Sequence, residues 1–182
     1  MDPTDVEGRS IGEITTVDEV FVNLDINSTD VFLDIGSGRG NLVLACALRK
    51  PPPLLSCGIE IMPSRHEMAQ VAASMLDEYA RARVELTCGD ALNANGLLER
   101  ATKVFINNLL FDAATNASFA RAMSPTRAPK LERVACTGPL ADPVTAGKAL
   151  RAVGLAHERT ASVEANYAAG MAKPLYVYQR VG

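Results

Sequence analysis

The sequence contains no tryptophan and only two histidines among its 182 residues. Neither His66 nor His157 has a spacing to a cysteine that suits a zinc site, so we predict no metal. The four cysteines form no C-x-x-C pair, and each lies in an apolar run: Cys46, Cys57, Cys88 and Cys136. This pattern indicates buried, reduced thiols in an intracellular protein rather than a disulfide framework.

Long apolar runs and a surplus of positive charge are also missing. No run is long enough to span a membrane, and the acidic first residues lack the apolar segment of a secretory signal. The net charge is -3 and the pI about 5.4. Proteins that bind nucleic acid unaided carry a basic face, whereas Lys and Arg are dispersed here. We therefore expect no strong intrinsic nucleic-acid binding and no membrane association.

Short apolar runs alternate with helical patterns along most of the chain. Predicted strands cover residues 31–35, 54–60, 84–88, 103–106 and 131–136, and helices are predicted within 12–27, over 42–48, from 63 onward and over 95–101. The helix from residue 63 has an apolar stripe that consists of Met68, Val71, Ala72, Met75 and Leu76. Strands that alternate with helices predict a doubly wound α/β sheet.

The pattern changes near the C-terminus, where strands are predicted over 155–165 and 174–179 with only a short link between them. A terminal hairpin is typical of the seven-stranded, Rossmann-like methyltransferase sheet, which is mostly parallel, has an antiparallel C-terminal strand and carries helices on both faces. We expect residues 1–10 to be mobile and residues 11–182 to form a single domain.

The strongest chemical signal is the run Asp-Ile-Gly-Ser-Gly-Arg-Gly at residues 34–40. A glycine-rich turn between a strand and a helix allows a ligand to approach the backbone closely. The glycines follow G-x-G-x-G and not G-x-G-x-x-G, because residue 41 is Asn. This spacing serves the diphosphate of a nicotinamide cofactor poorly, and an acid, Asp34, precedes the turn.

Two further acids end the next two predicted strands. Glu60 lies 20 residues after Gly40, where a carboxylate can accept hydrogen bonds from both ribose hydroxyls. Asp90 ends the third strand and is placed to accept from an adenine amino group. The alternative is that both acids only cap the helices that follow. Together with the glycine run, they favour an S-adenosylmethionine site at the carboxyl ends of the strands.

Further motifs occur in an order that one family shares. They are Gly12-Glu13, the run at residues 34–41, Gly58-Ile59-Glu60, Gly89-Asp90, Val104-Phe105-Ile106-Asn107-Asn108 with Phe111, and Lys173-Pro174 with Tyr178. On these residues the chain resembles the disruptor-of-telomeric-silencing family, the non-SET histone lysine methyltransferases that act on the nucleosome core. The resemblance covers residues 12–179.

The resemblance implies a role for each matching position. Gly12 and Glu13 would close over the methionine moiety, Glu60 would hold the ribose, and Asp90, beside Ala91, would hold the adenine. Asn107 would lie where the cofactor meets the lysine channel and act in catalysis; strand-end capping is the alternative for Asn107. The remaining cofactor-binding residues would be Asp34, Gly36, Ser37, Gly38, Gly40 and Asn41.

The chain departs from the family at three positions where the family carries aromatic residues: Ile11, Ala91 and Gly170. Our leading expectation is a protein-lysine methyltransferase, with a histone in a nucleosome as first candidate substrate and the nucleus as location. One alternative is a class I methyltransferase that acts on a small molecule or a non-histone protein in the cytoplasm. The other is a cofactor-binding interaction module without catalytic activity.

Overall fold

Seven strands and seven α-helices make up the computed structural model, which describes residues 17–141, 146–164 and 172–182. The strands are β1 (Val31–Ile35), β2 (Leu55–Glu60), β3 (Val84–Cys88), β4 (Lys103–Ile106), β5 (Arg133–Cys136), β6 (Leu155–Glu164) and β7 (Ala172–Arg180). The helices are α1 (Val17–Leu24), α2 (Asn41–Ala47), α3 (Pro63–Ser74), α4 (Glu78–Arg81), α5 (Asn95–Arg100), α6 (Ala113–Ala122) and α7 (Ala146–Ala152), with a 3-10 helix at Ala91–Asn93.

The strands form one sheet in the order β3-β2-β1-β4-β5-β7-β6. Strands β1 to β5 are parallel to one another, and β7 runs antiparallel to both β5 and β6. This arrangement confirms the predicted seven-stranded Rossmann-like sheet with its C-terminal hairpin. Because the first five strands are parallel, their carboxyl ends lie at one edge of the sheet, which is where ligands bind in such folds.

The alternation of side chains along the strands divides the core into two layers. In β4, Val104 and Ile106 belong to one buried cluster and Phe105 to the other. The first cluster includes residues of α5, α6 and α7, and the second includes residues of α1 and α2. Helices therefore cover both faces, as predicted. Burial of each large apolar side chain stabilises the fold by about 1.5–3 kcal/mol.

Two expectations about burial are wrong. In the stripe predicted for α3 and the residues after it, Met68, Val71 and Met75 are 51%, 59% and 80% exposed, whereas Ala72 and Leu76 are half-buried. The helix packs through Ala69 and Ala73 instead, because it approaches the backbone closely: a Cβ placed at Gly40 would lie 3.1 Å from that of Ala69. Cys88 is also exposed, at the end of edge strand β3, whereas the other three cysteines are buried.

The predicted strands all occur, with ends that agree to within two residues. Helices α4, α6 and α7 are additional elements that no apolar period in the sequence indicated. Residues 1–10, for which mobility is predicted, lie outside the described part of the chain. No helix within the described ranges is long and apolar enough to cross a membrane.

Candidate functional site

The glycine run forms a tight loop at the carboxyl end of β1. Gly36, Gly38 and Gly40 have positive φ angles of 76°, 54° and 82°, a conformation that glycine adopts without steric cost. The backbone N–H groups of Gly36 and Ser37 both donate to the Ile59 carbonyl, at 2.9 and 3.0 Å. The loop is therefore tied to the end of β2 before α2 begins at the exposed Asn41.

The loop has one open side and one packed side. A Cβ at Gly36 or Gly38 would meet no atom within 4 Å, so both glycines border open space. On the packed side, a Cβ at Gly58 would lie 2.7 Å from Val43 Cγ2 and 2.8 Å from the buried Ser37 Oγ. Glycine at residue 58 is needed for this close approach, whereas the glycines at 36 and 38 leave room for a ligand against the backbone.

Glu60 joins the elements at this edge. Its buried carboxylate accepts from the Gly38 N–H through Oε2 at 2.8 Å and from the Met62 N–H through Oε1 at 2.9 Å. Its carbonyl oxygen accepts from the Gly89 N–H at 2.9 Å. The carboxylate is thus hydrogen-bonded to the backbone just before α3, as expected if Glu60 caps that helix. It is also hydrogen-bonded to the glycine loop. Each carboxylate oxygen retains a second lone pair for a further donor.

Asp34 lies on β1 opposite Gly58, and its side chain is buried. Burial, and secondarily the charge of Glu60, raise the pKa of the Asp34 carboxyl to about 8. Burial disfavours the charged form of this acid, so the site favours either its protonated form or a cationic ligand beside it.

Asp90 is exposed and caps the 3-10 helix that follows β3. Its carboxylate accepts from the Leu92 N–H at 2.9 Å and from Asn93 Nδ2 at 2.7 Å. Ala91 packs its side chain into the core. The capping role that the sequence left open is therefore present at Asp90, and the outward side of its carboxylate faces solvent at the same edge as Glu60.

Asn107 follows the end of β4 and is half-buried. Its Oδ1 accepts a hydrogen bond from the buried Thr137 Oγ at 2.8 Å, which sets the direction of the amide. The Thr137 N–H also donates to the Ile106 carbonyl at 3.3 Å. Thr137, the residue after β5, is therefore hydrogen-bonded to the Asn107 side chain and to the backbone of the residue before it, Ile106.

Asn108 is buried and fastens the same two strand ends together. Its Oδ1 accepts from the Gly138 N–H at 2.7 Å, and its Nδ2 donates to the Gly138 carbonyl at 3.0 Å and to Asn116 Oδ1 at 2.7 Å. Thr137, Gly138 and Asn116 were not among the predicted site residues. Thr137 and Gly138 directly follow the fifth predicted strand, so the strand-end argument that was applied to Glu60 and Asp90 would also have pointed to them.

The structure thus brings together Asp34, Glu60 and the glycine loop, with Asp90 and Asn107 at the ends of the strands on either side. Gly12 and Glu13 lie outside the described residues. Within those residues, no three His, Cys, Asp or Glu side chains are grouped closely enough to hold a metal ion.

Comparison with known families and sequences gives one consistent group. The family model described as "Histone methylation protein DOT1" matches residues 10–129. A Caenorhabditis elegans protein named histone-lysine N-methyltransferase, H3 lysine-79 specific, is 37% identical over 111 residues, which are 56% of this chain and 11% of that protein. A Kluyveromyces lactis protein of the same name is 28% identical over 137 residues, 68% of this chain and 23% of that protein. The chain thus spans less than a quarter of either relative.

Solved structures show the same fold at low sequence identity. An RNA methyltransferase from Salinibacter ruber, in complex with S-adenosyl-L-homocysteine, superposes with a TM-score of 0.61 at 22% identity and covers 91% of this chain and 90% of its own. The methyltransferase domain of bacterial CtHen1 gives a TM-score of 0.69 at 14% identity, covering 90% and 96%. At these identities the likeness establishes the fold alone.

Proposed function

The chain belongs to the DOT1 family of histone methylation proteins, and we propose that it transfers a methyl group from S-adenosylmethionine to a lysine amine of a protein. The observation that carries the proposal is that the Glu60 carboxylate accepts a hydrogen bond from the glycine loop, where Gly36 and Gly38 border open space. A carboxylate in this position can accept hydrogen bonds from the ribose hydroxyls while the backbone of the loop contacts the rest of the nucleoside.

The charges at this edge also fit the cofactor. S-adenosylmethionine carries a positive sulfonium and an ammonium group and has no phosphate. Asp34 and Glu60 are both buried carboxyl groups, and a cation beside Asp34 would favour its ionised form. This match of carboxyl groups with a cationic ligand supports the methyl donor, in agreement with the glycine spacing, which serves a diphosphate poorly.

When bound, the cofactor would supply a methyl group to an amine by in-line displacement: the lysine ammonium would first release its proton to solvent, and the N–C bond would then form as the C–S bond breaks with its electron pair passing to sulfur. The protein would catalyse this step mainly by positioning the amine and the methyl donor and by excluding water around the neutral amine. Asn107 suits that task, because its amide is oriented by Thr137 and adds no charge that would hold the amine protonated.

A histone in a nucleosome is the first candidate acceptor, because the curated relatives are named as H3 lysine-79 specific enzymes. This acceptor would place the protein in the nucleus. A non-histone protein or a small molecule is the second candidate. It is favoured by the acidic composition and by the glycine at residue 170, where the resemblance implies a tryptophan that helps to wall the lysine channel.

Incubation with methyl-labelled S-adenosylmethionine tests the proposal. Reconstituted nucleosomes, free histones and a cell extract are offered in parallel, with Asn107→Ala as the matched variant. We expect label in protein with wild type and about a hundredfold less with the variant, and mass spectrometry should place the methyl group on a lysine side chain. Cofactor binding without transfer to any acceptor would instead indicate the non-catalytic interaction module.

A further inference from the structure

Two leucines stand out of the core directly beside the proposed acceptor site. Leu109 and Leu110, which follow Asn107 and Asn108, are 37% and 63% exposed. Single exposed apolar residues are common on protein surfaces, but an adjacent exposed pair two and three residues after Asn107 is a candidate contact for a partner. We call the turn that carries this pair the leucine turn.

The leucine turn is held rigidly at both ends. Before it, Asn108 is fixed by its bonds to Gly138 and Asn116. After it, the Phe111 N–H donates to the Asn108 carbonyl at 3.1 Å, and the Phe111 ring stacks on Phe119 with centroids 5.5 Å apart. The two leucines are therefore presented to solvent by a closed, packed turn. Such preorganisation lowers the entropy cost of docking.

We infer that the leucine turn is the docking contact for an apolar residue that flanks the acceptor lysine in a protein substrate. The inference rests on the proposed function, because Asn107 is taken as the place where the acceptor amine arrives. Leu110 is largely exposed, so an acceptor that covers this side chain must be large enough to extend from the reacting amine at Asn107 to the leucine turn. A protein segment has such a surface, whereas a small acceptor that fills only the space at Asn107 does not.

The charge next to the turn agrees with this occupant. Asp112 follows it, is exposed, and caps α6 by accepting from the Thr115 N–H at 2.7 Å. That backbone hydrogen bond lowers the pKa of the Asp112 carboxyl, so the group is ionised at neutral pH. With a net charge of -3, the chain is complementary to a basic protein segment that contains an apolar residue beside its lysine.

The test compares Leu110→Ser with Leu54→Ser. Leu54 is 62% exposed, nearly the same as Leu110, but it precedes β2 and therefore lies toward the amino ends of the parallel strands. Reconstituted nucleosomes are the probe, and three quantities are measured: the nucleosome Kd by fluorescence anisotropy, KM and kcat for methyl transfer, and the Kd for S-adenosylmethionine. Thermal unfolding verifies that both variants fold.

We expect Leu110→Ser to raise the nucleosome Kd and KM about tenfold, with kcat and cofactor affinity within about twofold, and Leu54→Ser to change none of them. An equal nucleosome Kd in the two variants, or no nucleosome binding by wild type, overturns the docking contact. So does loss of self-association in Leu110→Ser, since the turn would then face a second copy. Binding that depends on Leu110 without any methylation supports the contact and refutes the proposed activity. Methylation with a Leu110-independent Kd does the reverse.

Discussion

The two halves of the carboxyl edge use different chemistry to hold their residues in place. In the cofactor half, the buried carboxyl groups of Asp34 and Glu60 lie against a glycine loop, and Glu60 bonds to its backbone. In the acceptor half, neutral amides and a hydroxyl join the ends of β4 and β5 through Asn107, Asn108 and Thr137. Carboxyl groups lie where a cationic cofactor is expected, and amide and hydroxyl groups lie where an uncharged amine is expected.

The largest expected effect is a loss of methyl-transfer rate after a substitution in the acceptor half, with cofactor affinity nearly unchanged. Asn107→Ala should keep the Kd for S-adenosylmethionine within about threefold, under 1 kcal/mol, yet lower the single-turnover rate on the order of a hundredfold. The reason is that only the transition state requires the acceptor amine to be aligned. Calorimetry and single-turnover kinetics on the same preparation measure both quantities. Undiminished turnover would show that the acceptor does not arrive at the end of β4.

Glu60→Gln probes the cofactor half. Replacing a charged acceptor of hydrogen bonds should weaken S-adenosylmethionine binding by roughly 1.5–3 kcal/mol and also loosen the glycine loop, because the Gly38 and Met62 N–H groups lose a charged partner. Glu85→Gln is the control. That glutamate lies on the edge strand β3 and makes an exposed ion pair with Arg100 of α5. Titration calorimetry that gives equal affinity for both variants would remove Glu60 from the site.

Asn108→Ala should lower stability more than it changes the chemistry directly. The substitution leaves the Gly138 N–H and carbonyl without their side-chain partners in a buried place, which costs about 2 kcal/mol. Urea denaturation measures the free energy of unfolding. Asn41→Ala, at an exposed position, serves as the control for replacing an asparagine. An unchanged midpoint in Asn108→Ala would mean that the connection between β4 and β5 does not need this side chain.

The smallest expected effect is a pH dependence that arises from Asp34, whose pKa burial raises from the ordinary 3.8 to about 8. Between these two values the unfolded chain has lost the proton that the folded chain keeps, so stability falls as pH rises and levels off above the folded pKa. The free energy of unfolding should therefore fall by at most about 1.4 kcal/mol over one pH unit. Chemical denaturation of the ligand-free protein at two pH values one unit apart, both between the unfolded and folded pKa, should show a larger decline in wild type than in Asp34→Asn. Equal declines would contradict the assignment.

The parallel strands were predictable from sequence because each is a short, mostly apolar run with a clear end, and the candidate acids Glu60 and Asp90 were picked from those ends. The orientation of α3 was not predictable, because a stripe of Met68, Val71 and Met75 has the period of a buried face although the close approach to Gly40 requires alanine. The bonds from Thr137 and Gly138 to the asparagines were also missed, since they join residues 30 positions apart. Such contacts arise only when β4 and β5 pair.

Titration calorimetry with S-adenosylmethionine and with NADH tests the central claim most directly. The cofactor half, with its two buried acids and its open glycine loop, predicts micromolar affinity for S-adenosylmethionine, about -8 kcal/mol. It predicts no measurable heat with NADH, because the G-x-G-x-G spacing of the loop serves a diphosphate poorly. Binding of NADH without binding of S-adenosylmethionine would contradict the account of this site.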